Sequence, residues 1–349
     1  MNNTKLRIGI VGAGGIVRSN HVPGFRALPD CEIVAVCNRT PESSQKAAQE
    51  LGIPEVEKDW RSLVARKDLN VILIGTWPYM HKDVTIAALK NGKHVLCESR
   101  MSRTEAEARA MLDAAKKARK HGLVTMLCPP PTGFKGDYVM RETLESGIIG
   151  TPYLLLTRVC NAALLDKSKP LFWRQQLKYQ GLNALVLGML YEALERWFGP
   201  AVSVQARTRI FTPKRPLEAG STKLGNVERP DVISVLAEFK NGMSGTLHFS
   251  GVSLHAGPNA VEVFGEKGMI RYNLDEDRIF AATAADKTPN EVPIPPEKAR
   301  TWRVEAEFVA AIREGKAVSP SFEDGLKYMA FTEAVEKAAK TGRTVKVQA

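Results

Sequence analysis

The residues best placed to do chemistry fall in four short stretches, each ending an apolar run. Gly12-Ala13-Gly14-Gly15-Ile16-Val17 follows IGIV directly and leads into a helical pattern. In that context Gly12 permits a tight turn and Gly14 lets the backbone approach a ligand. With Gly15 and Ile16 the turn then presents a helix N-terminus to a diphosphate, the chemistry of dinucleotide binding. The usual third glycine is Val17 here, and its branched side chain is expected to hold the helix slightly away from the strand. The run EIVAVC ends at Asn38-Arg39-Thr40. An acidic residue there would bind a ribose hydroxyl and repel a 2′-phosphate. Asn38 and Arg39 do neither, Arg39 offers a planar fork, and Thr40 and Ser43 add hydroxyl donors, so NADP is favoured over NAD. VILIG ends at Thr76-Trp77-Pro78 with His81 just beyond, and HVLC ends at Glu98-Ser99-Arg100. Thr76, Trp77, Pro78, His81 and Glu98 are expected along the cofactor edge. Serine is a poor proton carrier, so the presence of Ser99 there makes the source of acid–base chemistry the open question.

These stretches need a scaffold, and the first third supplies one by alternating apolar runs with helical patterns, the mark of crossover connections and a parallel sheet covered on both faces. SRTEAEARAMLDAAKKARKHG carries Ser102 and Glu105 at capping-box spacing and closes on Gly122. LVTMLC reads as a further strand, and PPPTGFKGD then breaks the pattern. The expected division is a dinucleotide-binding domain over 1–127 and a substrate-binding and oligomerisation domain over 128–349. Beyond the break, a helix over 137–147 is followed by strands such as YLLLTRV, VISVLAEF, SGTLHFSG and GMIRYNL, with Lys-Asn-Gly and Glu-Lys-Gly turns that imply a mostly antiparallel sheet. NALVLGMLYEALERWFG reads as helical, TPNEVPIPPE as a Pro-rich loop, and a helix pair closes the chain. The fold class is α/β: a doubly wound parallel sheet, then an α/β domain with a large open sheet.

Bulk properties narrow the function. A chain of 349 residues is long for one core. Its 44% hydrophobic and 25% charged residues are ordinary for a globular protein. No apolar run suggests a membrane span, and the start passes straight into a strand, so a cytoplasmic location is expected. The net charge of +11 is spread along the chain, which suits anionic small molecules better than nucleic acid. Five cysteines without C-x-x-C spacing suggest neither a disulfide framework nor a metal site.

Together, IGIVGAGGIVRSNHVPGF, TWPYMH, GKHVLCE, ESGIIGTPY, FKNGMSGTLHFSG, VFGEKGMIRY and the terminal FEDGLKYMAFTEAVEKAAKTGRTVKV resemble the Gfo/Idh/MocA family of pyridine-nucleotide oxidoreductases over nearly the whole length. The resemblance implies an N-terminal Rossmann domain, a C-terminal α/β domain whose open sheet makes a homodimer or homotetramer, and a sugar or cyclic polyol substrate oxidised by hydride transfer. A lyase or hydrolase using transient oxidation belongs to the same class. The departures lie in the chemistry. The family's Glu-Lys-Pro is Glu98-Ser99-Arg100, and its Asp and His, four residues apart, are Val186 and Leu190. That leaves Tyr191 as the nearest proton carrier, its phenol to be lowered by a cation such as Arg100, with Asn183 on the same helix face to orient a hydroxyl and Ser99 beside them. Arg100, Trp173, Arg174 and Glu192 are the expected substrate contacts. CPPPTGF replaces a more usual aromatic and arginine run, which implies a rebuilt substrate pocket. A second reading, from the missing Lys, Asp and His, is a cofactor-binding sensor or scaffold without catalysis.

Overall fold

The computed structural model describes residues 5–129 and 134–348; residues 130–133, the middle of the CPPPTGF stretch, lie outside the described residues. The chain forms two compact units, Met1–Pro130 with Trp302–Met329, and Pro131–Thr301 with Ala330–Ala349.

The first unit is built on six parallel strands, β1 (Leu6–Val11), β2 (Cys31–Cys37), β3 (Glu55–Val56), β4 (Val71–Ile74), β5 (His94–Cys97) and β6 (Thr125–Leu127). Their order is β3-β2-β1-β4-β5-β6. Strand β4, VILI, is buried along its whole length, as a strand covered on both faces must be. The order reverses between β1 and β4, and a ligand crevice forms at the carboxyl ends of strands at such a reversal. The crossover helices are α1 (Val22–Arg26), preceded by a π-helical turn over Val17–His21, then α2 (Pro41–Leu51), α3 (Trp60–Ala65), α4 (Pro78–Lys90) and α5 (Glu105–Arg119). The cap of α5 differs from the expected box at Ser102 and Glu105. Thr104 is the N-cap and accepts from Glu107 N at 3.3 Å, while Arg103 N donates to Glu107 Oε2 at 3.0 Å. The true pair sits two residues later in the same run of cap-forming side chains.

In the second unit α6 (Asp137–Glu145) precedes β7 (Pro152–Cys160), and α7 (Leu177–Gln180) and α8 (Leu187–Phe198) precede β8 (Ala201–Arg209). A hairpin of β9 (Lys214–Pro216) and β10 (Leu224–Asn226) follows. The chain then runs through β11 (Val232–Phe239), β12 (Ser244–Ser250), β13 (Ala260–Gly265), β14 (Gly268–Asn273), β15 (Arg278–Thr283) and β16 (Asn290–Val292). Helix α9 (Val304–Glu314) lies in the residues that return to the first unit, and α10 (Phe322–Thr341) leads to β17 (Val345–Lys346). Nine strands pair in the order β16-β15-β14-β13-β7-β12-β11-β8-β17, parallel at β12 with β7 and antiparallel elsewhere. TPNEVPIPPE is therefore not all loop: Asn290–Val292 pairs with β15 before the prolines remove further donors.

Candidate active site

Where the end of β1 meets the end of β4, close contacts leave no room for a side chain at Gly12 or Gly75. Gly12 has φ +90°, and a Cβ there would lie 2.7 Å from Thr76 Cγ2 and 2.8 Å from Thr76 N. A Cβ on Gly75 would lie 2.3 Å from both Gly12 O and Val17 Cγ2. Gly75 thus leaves the space that a third glycine would leave at position 17, and Val17 packs into it, buried, in place of the expected displacement. Gly14 and Gly15 are exposed, with nothing within 4 Å of a Cβ built on Gly15. The first helical bond is Arg18 N to Gly14 O at 3.1 Å, so the amides before it have no partner within the helix. Arg18 Nε donates to Ala13 O at 2.9 Å and steadies the turn.

Asn38 faces the turn. Its Oδ1 accepts from Ala13 N at 2.7 Å, and its Nδ2 donates to Ser43 O at 2.8 Å, bolting the glycine loop to α2. Thr40 and Ser43 form the cap of that helix, with Thr40 Oγ1 accepting from Ser43 N at 3.2 Å and Ser43 Oγ donating to Thr40 O at 2.9 Å. Arg39 is exposed, its Cζ 5.6 Å from the Trp77 ring centroid. Trp77 precedes Pro78, the first residue of α4. Thr76 Oγ1 is buried and has no hydrogen-bond partner among the described residues, which fits a hydroxyl that meets polar atoms of a ligand. Open amides, a cradle that a Cβ would fill and an orphaned hydroxyl together fit a dinucleotide.

His81, expected at the cofactor edge, is fully buried instead. Its Nε2 lies 3.0 Å from Thr76 O and its Nδ1 2.9 Å from Arg100 O, so it staples the ends of β4 and β5. Burial lowers its basicity, against the pull of those carbonyls. Arg100 is 3% exposed, Ser99 is half-buried, and the peptide bond between them is cis. Glu98 is turned inward. His21 Nε2 lies 2.8 Å from Glu98 Oε1, and His21 Nδ1 lies 2.5 Å from Glu305 Oε1. Trp302 Nε1 donates to Glu305 Oε2 at 3.0 Å, and its ring meets the imidazole edge-on at 5.4 Å. Desolvation alone would lower the His21 pKa, but the hydrogen bonds and charges of Glu305 and Glu98 outweigh it and raise it to about 9. Cys128 brings its sulfur within 4.8 Å of His21 and Glu98 donor atoms, a spacing open to a metal ion. The His21 ring is held by both carboxylates, and burial pushes the Cys128 thiol well up.

In the second unit α8 begins at Leu187, so Asn183 precedes the helix and is not on a common face with Tyr191; Leu185, at φ 47°, breaks the expected helical run. Asn183 Nδ2 donates to Gln180 O at 2.8 Å. Tyr191 is 1% exposed, stacks on Phe331 at 3.6 Å and accepts from Ala201 N at 3.0 Å. Burial, then Glu195, raises its phenol well above the ordinary value, opposite to the lowering a proton carrier needs. Glu192, expected at the substrate, is buried against Arg196, which donates to it at 2.7 Å. Burial raises its carboxyl while Arg196 opposes the rise. Arg196 and Arg300 both reach Asp137, which also accepts from Trp197 Nε1 at 2.7 Å. Arg174 is exposed and lies 4.3 Å over the Trp173 ring. Val186 and Leu190 line a cavity of about 170 Å³ with Phe134, Met189, Asn259 and Asp275.

His21, Gly75, Glu305 and Trp302 escaped the sequence reading. Gly75 stood in plain view after VILI, whereas His21 and Glu305 are 284 positions apart and share no local pattern. Residues 6–126 match the model of an oxidoreductase family with an NAD-binding Rossmann fold, and residues 139–271 match the Gfo/Idh/MocA C-terminal domain. Levoglucosan dehydrogenase of Pseudarthrobacter phenanthrenivorans is 28% identical, covering 96% of this chain and 96% of that protein. Myo-inositol 2-dehydrogenase of Thermotoga maritima is 24% identical over 98% of this chain and 99% of its own length. The structure of a levoglucosan dehydrogenase in complex with NADH superposes with a TM-score of 0.86 at 25% identity, covering 99% of this chain and 100% of that one. With a family model matched in each half and relatives aligned end to end, the chain belongs to the Gfo/Idh/MocA family of oxidoreductases.

Proposed function

We propose that this protein is an oxidoreductase that acts on a carbohydrate or cyclic polyol with a pyridine dinucleotide, and that it prefers NADP. The observation that carries the reading is the crevice edge of the first unit, where the exposed Gly14 and Gly15 lie beside the orphaned Thr76 hydroxyl. When bound, the nicotinamide supplies a hydride acceptor. The amides of Gly14, Gly15 and Ile16 would hold its diphosphate, and Thr76 and Trp77 would lie at the edge that receives the rest of it. Arg39 supports the NADP preference: it is exposed beside Trp77, while Asn38 is engaged by the glycine loop and carries no charge to repel a phosphate.

The substrate class follows the relatives, whose names give levoglucosan and myo-inositol. Trp173 and Arg174 offer a ring face and a fork for such a molecule, and the apolar walls at Val186, Met189 and Leu190 suit its hydrocarbon face. Leu154 and Leu236, exposed on the outer face of the nine-stranded sheet, support assembly into a homodimer or homotetramer. Five cysteines without a disulfide among them accord with a cytoplasmic location. The sensor reading rests only on the missing Lys, Asp and His, and the dehydrogenases named above give it no support. The test is turnover across a panel of sugars, anhydrosugars and inositols with NADP and NAD. Formation of reduced nucleotide with at least one substrate is expected, and silence across the panel despite calorimetrically measured nucleotide binding would favour the sensor.

A further inference from the structure

With Tyr191 buried and pushed the wrong way, the proton leaving the alcohol needs another acceptor. We propose that the buried Glu98–His21 pair, steadied by Glu305, takes the proton released when the substrate hydroxyl is oxidised. This rests on the reading of the chain as a sugar or polyol oxidoreductase.

The argument begins with strand order. The adenosine-binding side is marked by Arg39 at the end of β2, so the reacting end of a dinucleotide laid across the reversal lies toward β4 and β5, where Glu98 ends its strand. Within the cluster, His21 is wholly enclosed and the Glu305 side chain is 3% exposed, whereas the Glu98 side chain retains 12%. Glu98 is therefore the outlet of the cluster. Glu305 accepts from the His21 Nδ1 side and from Trp302, which fixes the ring so that Nε2 faces Glu98. Titratable groups near the pair include Cys97, Cys128 and His81. Both thiols are raised well above their ordinary values by burial and stay protonated, and burial lowers His81.

The step balances. The alcohol O–H bond breaks and its proton forms a bond to a Glu98 carboxylate oxygen, which shares it with the neutral Nε2 of His21. The carbon's hydride leaves for the oxidised nucleotide, which the established class of reaction supplies. Since His21 holds its proton until about pH 9, the neutral ring grows as the solution becomes alkaline.

The test combines kinetics with a measurement that needs no turnover. Histidine-¹⁵N spectra of the full-length protein, which has six histidines, should show one ring titrating near pH 9 and moving to lower pH in Glu98→Gln. In the same protein kcat/KM for oxidation should rise through that pH. Glu98→Gln, close in shape, should lose about 10²- to 10⁴-fold, the usual worth of a placed base. His21→Gln should retain some rate but lose the alkaline rise. A Glu98→Gln protein that is folded by circular dichroism and matches the parent in rate and pH profile would overturn the assignment alone. A His21 titration indifferent to Glu98 would do the same. Absence of turnover in the parent protein across the panel would overturn the functional reading, and the assignment with it.

Discussion

Asn38 and Arg39 are neighbours with divided tasks, and the division makes cofactor choice testable one side chain at a time. Asn38 spends both ends of its amide on the glycine loop and α2, so on the proposed reading Arg39 is the residue to meet the ribose. Arg39→Ala should weaken NADPH binding at least about tenfold while barely changing NADH, the loss expected of a charge-assisted contact to phosphate. Equal losses, read by calorimetry, would remove the phosphate role. His21 makes a second residue-scale prediction. Its folded pKa lies above its ordinary 6.5, at about 9, so its contribution to stability is complete below about pH 6.5 and is lost as pH rises through about 9. The loss should be on the order of 3 kcal/mol. Urea unfolding at pH 6, 7.5 and 9 checks it, and the decline should flatten in His21→Gln. A parent protein equally stable across that range would contradict the raised pKa.

Between elements, the contact of β1 with the end of β4 governs the crevice. Gly75→Ala would drive a methyl against Gly12 O and Val17 Cγ2, both 2.3 Å from its position. The cost should be about 1–3 kcal/mol of stability, with nucleotide affinity falling at the same time. Adding Val17→Ala should relieve only part of this, because the carbonyl clash remains. Full rescue would show that side-chain crowding alone was at issue. In the second unit, Val186→Phe should fill part of the cavity beside α8 and raise KM for the substrate about tenfold at unchanged nucleotide affinity; an unchanged KM would take the cavity out of the substrate site. The elements were legible where periodicity and punctuation agree: apolar runs ending in glycine gave β1 and β4, and Gly147 closed α6. They were not where tertiary contacts decide. Leu185 has no sequence mark for its positive φ, so Asn183 read as helical, and the α5 cap slid by two residues because Ser102, Thr104, Glu105 and Glu107 offer overlapping boxes.

At the scale of the whole chain, the second visit to the first unit is what the sequence hid. Residues 302–329 return there and carry Trp302 and Glu305 to His21, a contact no window along the chain can reveal. The glycine turn needed no such knowledge, since strand, turn and helix are consecutive. The resemblance to the family likewise named the lost lysine, aspartate and histidine, but burial had to be seen before Tyr191 and Glu192 could be set aside. Among the described residues no helix is long and apolar enough to cross a membrane. The most direct measurement follows the hydride itself. With a sugar or inositol deuterated at its reacting carbon, the reduced nucleotide formed by this protein should carry the deuterium, read by mass spectrometry. Nucleotide that binds yet stays oxidised, or is reduced without the label, would contradict the account.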